Sequence, residues 1–177
     1  MYQVTDDREM SPDGKFHRIL SLLVWVAVCT GLGVSVCVVI NELCLATACT
    51  DAASFTFFGV GMGWLGIAYF SLMVLLLWQR TKGRFVNLAF IAMVFSGSGA
   101  EFRLLWIQKY IIGSWCPYCV TICCALFATA ILLLIEKVRN TGTVQNTGKN
   151  LFGWLAFVVV MMAAGFVIAA VGVNALT

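Results

Sequence analysis

Five long apolar runs constrain this chain more than any other feature. Ile19–Ile40, Val60–Trp78, Phe85–Ala100, Pro117–Ile135 and Leu151–Val173 contain no charged residue. A helix needs about 20 mostly apolar residues to cross the hydrocarbon core of a bilayer, so these runs predict five transmembrane helices. The third run meets Glu101 and Arg103 before Leu104, Leu105, Trp106 and Ile107. Apolar residues make up 62% of the chain and charged residues 11%. Soluble domains carry about 25% charged residues, so the solvent for most of this surface is lipid. No basic stripe runs along the chain, which argues against nucleic acid as a partner. The first run is too long for a signal-peptide core, and no small-residue cleavage pattern follows it. The expected organisation is an N-terminal segment 1–18, a core 19–135, a polar loop 136–150, and a fifth helix with a short tail, 151–177.

Lysine and arginine favour cytoplasmic loops. With the N-terminus inside, Arg8, Lys15, Arg18, Arg80, Lys82, Arg84, Lys137, Arg139 and Lys149 lie inside, and only Arg103 and Lys109 lie outside. This orientation sorts the eight cysteines. Cys44 and Cys49 fall in the first outer loop, and Cys116 and Cys119 at the outer end of the fourth span. Cys29, Cys37, Cys123 and Cys124 fall within spans, where a thiol behaves as a small packing hydrophobe. Two close pairs therefore face the compartment in which disulfides persist.

Trp115-Cys116-Pro117-Tyr118-Cys119 begins a helix. Pro117 suits the first helical position, where a missing N–H costs nothing. Cys116 and Cys119 then share a helix face, and the helix N-terminus favours a thiolate, the attacking species in disulfide exchange. A structural disulfide or half of a metal site is the plainer alternative. The Cys44–Cys49 pair reads equally well as a staple or as a relay that meets a soluble partner. Gly59, Gly61, Gly63 and Gly66 crowd the start of the second span, where small residues permit close helix packing. Charges inside a span are costly and mark function; Glu101 and Arg103 are such residues unless the third span ends near Ala100.

The order and spacing of these motifs resemble the vitamin K epoxide reductase family in its bacterial form. The resemblance rests on the loop pair Cys44 and Cys49 and on the entry Gly63-Trp-Leu-Gly-Ile-Ala-Tyr into the second span. Its most specific part is the stretch Leu105-Trp-Ile-Gln-Lys-Tyr-Ile-Ile-Gly-Ser-Trp-Cys-Pro-Tyr-Cys-Val. It covers about residues 19–135 and implies an all-α membrane protein: a four-helix transmembrane bundle with an additional fifth helix. It implies an oxidoreductase that oxidises a thioredoxin-fold (DsbA-like) partner and passes the electrons to a quinone, ubiquinone or menaquinone. By the same resemblance, Cys119 reacts with the quinone, Cys116 is its partner, Cys49 attacks Cys116, and Cys44 meets the soluble protein. Met62 and Cys123 stand where vertebrate members have an asparagine and a tyrosine, and Phe55 where a serine is common. These departures bear on epoxide reduction and leave quinone-linked disulfide generation intact. Arg103 is the candidate for stabilising charge on the quinone oxygen. The DsbB disulfide oxidases carry the two pairs in the reverse order. A membrane carrier of heavy-metal ions, of the mercuric type, is the alternative, supported by the vicinal Cys123-Cys124 and opposed by the absence of an inner-loop cysteine.

Overall fold

A computed structural model describes residues 12–44, 55–57, 59–80, 83–113, 115–141 and 147–175. The five apolar runs form helices α1 (Pro12–Cys44), α2 (Met62–Gln79), α3 (Arg84–Ile107), α4 (Pro117–Thr141) and α5 (Thr147–Gly172). All five are long and apolar enough to cross a membrane, and the chain is an all-α multi-pass membrane protein. The helices α1 to α4 form a closed ring in which α1 packs on α2 and α4, and α3 packs on the same two from the other side. Helix α5 lies outside this ring, against α3. The architecture is therefore a four-helix bundle with a fifth helix on its flank.

The core of the ring is built from Val24 and Val28 of α1, Phe70 and Met73 of α2, Phe90 of α3 and Leu126 of α4. The outward faces are also apolar, as exposed Leu22, Leu75 and Val159 illustrate. Burial from water therefore does not distinguish the two sides, and close packing decides which faces meet. Gly99 and Gly165 allow the backbones of α3 and α5 to touch. A Cβ at Gly99 would collide with the Met162 carbonyl, and one at Gly165 with the Ser96 carbonyl.

The helices overrun the apolar runs that predicted them. The polar stretch expected as a loop over 136–150 is largely helix, because α4 continues to Thr141 and α5 starts at Thr147. Glu136 holds this extension in place. Its carboxylate accepts a 2.7 Å bond from Arg80, which also donates at 2.6 Å to the Asn87 side chain. His17 approaches the same carboxylate at 3.5 Å, and the Arg139 guanidinium stacks 4.0 Å from the centre of the Phe16 ring. These contacts tie α1, α2, α3 and α4 together at what we term the basic end.

The opposite end carries a small sheet that the hydropathy pattern does not predict. Strand β1 (Phe55–Phe57) lies between β2 (Val60–Gly61) and β3 (Val173–Ala175), antiparallel to both. Gly59, at φ 82°, adopts the left-handed conformation that turns β1 into β2. The sheet joins the segment after α1 to the segment after α5, so both lie at one end of the bundle. Alternation of the helices puts the start of α4 at that same end.

Candidate thiol site at the start of α4

Helix α3 does not stop at Ala100. It runs through Glu101 and Arg103 to Ile107 and continues as a π-helical turn, Gln108–Ile112. Gly113 closes that turn in the left-handed conformation, φ 71°, with its N–H donating to the Gln108 carbonyl at 3.0 Å. Both charged residues thus lie within the continuous helical segment Arg84–Ile111, beyond the point at which the apolar run ends. Two residues apart on a helix, they leave the axis roughly 200° from one another. Glu101 enters the ring. It follows by one turn Gly97, whose Cβ position meets Tyr69 of α2 and Leu126 of α4. Arg103 leaves α3 on the other side, and its Nε is buried without a hydrogen-bond partner among the described residues.

The chain then reverses into α4. The Val120 N–H donates to the Cys116 carbonyl at 3.0 Å, which makes Cys116 the N-cap and Pro117 the first helical residue. Cys116 is buried, Cys119 half-buried and Cys123 buried. Spacings of three and four residues set all three thiols along one stripe of the helix, directed into the bundle.

The remaining cysteines sort differently. Cys123 is buried and Cys124 exposed, so the vicinal pair presents its thiols on different faces rather than to one path. Cys29 and Cys37 are exposed on the outer surface of α1 and do not pack the interior as expected. Among the described residues, no three His, Cys, Asp or Glu side chains gather as a metal site. Cys44 ends α1; its side chain, and Cys49 altogether, lie outside the described residues. Met62 opens α2 at the end at which α4 begins and is half-buried.

Two polar residues of the interior were not evident as site residues. The Tyr69 hydroxyl donates to the Met93 carbonyl at 2.7 Å, in the space left by Gly97. Gln108 is buried, and its Oε1 has no hydrogen-bond partner among the described residues. A tyrosine deep in a span and an amide in the run Leu104–Ile112 are the signals that mark them. An open groove of about 580 Å³ lies on the other side of α3, against α5, lined by Gly99, Phe102, Trp106, Met162 and Phe166 among others. All its lining residues are apolar, so it offers no group to orient a reacting molecule.

Comparison of the chain with protein-family models and with curated protein sequences finds no match in either.

Proposed function

We propose that this chain is a quinone-linked thiol–disulfide oxidoreductase resembling the bacterial vitamin K epoxide reductases. It oxidises a thioredoxin-fold partner and so supports disulfide formation in exported proteins. The observation that carries this reading is the thiol stripe: Cys116 caps α4 and Cys119 lies one turn inside it. A soluble protein reaches the outer loop, whereas a lipid-soluble molecule reaches the interior of the bundle. In this reading Cys44 exchanges with the partner, Cys49 passes the disulfide bond on to Cys116, and Cys119 faces the acceptor. The positive-inside asymmetry favours a cytoplasmic basic end and a periplasmic thiol end in the inner membrane.

Two features support a quinone as the acceptor: the bundle core is apolar, and Gln108 keeps a buried Oε1 unsatisfied among the described residues. Cys119, Cys123 and Met62 would border a quinone ring, whereas Arg103, the cation expected to act on the quinone oxygen, leaves α3 on the opposite side from Glu101. A quinone, when bound, supplies a two-electron sink. The protein supplies the paired thiols, the helix N-terminus that favours the thiolate, and exclusion of water from the bundle interior.

The test uses the whole protein in lipid nanodiscs loaded with ubiquinone or menaquinone and supplied with a reduced thioredoxin-fold protein. Quinol is expected to form mole for mole with partner disulfide. Cys119→Ser should lower that rate by about a thousandfold or more while helical content stays unchanged. Exchange at the outer loop with no quinol formed from either quinone would overturn the reading.

A further inference from the structure

Oxidising two thiols releases two protons with two electrons, and reducing a quinone consumes two of each. Solvent would carry those protons in water. Cys116 is buried and Cys119 half-buried at the end of a helix bundle, where a protein group can carry them. Ionisable residues within spans characteristically serve as proton relays.

One face of α3 is built for this. Met93, Gly97, Glu101 and Gln108 recur at spacings of four and seven residues and therefore share a face. Contacts identify that face as the inner one. The Tyr69 hydroxyl rests on it at Met93, and a Cβ at Gly97 would strike both that hydroxyl and Leu126 of α4. Glu101 follows Gly97 by one turn. Leu126 meets Gly97, and Cys123 lies one turn from Leu126 on α4 as Glu101 does from Gly97 on α3, both toward the cysteine end. Gln108 stands two turns nearer the cysteine end, buried and with Oε1 unsatisfied among the described residues. Opposite runs the thiol stripe of α4. Among the described residues the salt bridges join Arg80 and His17 to Glu136, and none engages Glu101. Its carboxyl group is therefore uncommitted to holding the helices together.

We propose that Glu101 is the proton-transfer residue of the thiol site: it takes a proton given up by the Cys116–Cys119 pair and delivers one to the oxygen of the acceptor. The proposal rests on the quinone-linked reading above. In one turnover two S–H bonds break and one S–S bond forms. Two electrons pass to the acceptor, and two O–H bonds form on it. Glu101 cycles between carboxylate and carboxylic acid and ends unchanged. Tyr69 positions this group through its seat on α3.

Two measurements on the full chain in nanodiscs test this. In the first, infrared difference spectra compare the dithiol and disulfide states, set chemically with dithiothreitol and diamide in the absence of quinone. A carboxyl band that follows thiol oxidation is expected, lost in Glu101→Gln and shifted in Glu101→Asp. In the second, Glu101→Gln should slow quinol formation by about a hundredfold or more and leave exchange with the soluble partner unchanged, with Glu101→Asp recovering most of the loss. A silent carboxyl band in the wild-type protein, or equal slowing of both steps, overturns the proposal. A responsive band in a protein that reduces no quinone sinks the parent reading and leaves Glu101 as the proton partner of the thiols.

Discussion

The two ends of the bundle treat polar groups in opposite ways. At the basic end, Arg80, Asn87 and Glu136 satisfy one another across three helices, and His17 joins from a fourth. In the thiol half, Glu101 joins no salt bridge among the described residues, and Gln108 keeps a buried Oε1 unsatisfied there. Burying a polar group is costly unless it is paired. The first set meets that cost with partners and returns stability. The second leaves Glu101 and Gln108 available, as the proposed proton transfer requires. Polarity inside a membrane protein thus divides into a part that fastens helices and a part that reacts.

Substitution should separate these two roles. The largest effect on stability is expected at Arg80→Met, which leaves Glu136 largely buried and without its guanidinium. Loss of one partner of a buried pair costs about 3–5 kcal/mol, readable by unfolding of the purified protein in mixed micelles. Quinol formation per folded molecule should be unchanged, and adding Glu136→Leu should restore part of the stability. A full loss of activity in folded Arg80→Met would break the contrast between the ends.

Gly97→Ala should be intermediate. The added methyl displaces the Tyr69 hydroxyl and costs about 1–3 kcal/mol by overpacking. Its signature is a larger loss in quinol formation than in exchange with the soluble partner. Equal losses would make Tyr69 a packing residue. The smallest effect is expected at His17→Gln. His17 is 66% exposed, and exposed ion pairs contribute about 0–1 kcal/mol, so its removal should barely move the unfolding midpoint. A large shift would mean that the fourth helix of the basic end matters as much as the first three.

Hydropathy located all five helices because an uncharged run of such length has no other stable fate in a bilayer. It misplaced their ends. Glu136 and Arg139 look like loop residues, yet Arg80 and Phe16 supply partners that keep the helix going. Glu101 and Arg103 were legible as misplaced charges, but their neighbours were not. Which of the two enters the ring depends on the rotation of α3, which Gly97, Gly99 and Gly165 set through contacts far apart in sequence. Pro117 marked the start of α4 and so placed Cys116 and Cys119 correctly on its first turn. Cys29 and Cys37 were misread as interior because a span gives no hydropathic signal of which face meets lipid.

The sheet at the cysteine end also fixes an order of events. Strand β1 is the central strand, and its partner β3 is synthesised more than a hundred residues later. At about 5–20 residues per second, translation separates them by on the order of ten seconds. During that interval β1 pairs with β2 alone and exposes one unpaired edge. The last strand therefore completes the sheet only after α5 has been made and threaded, so a nascent chain finishes this end of the bundle last.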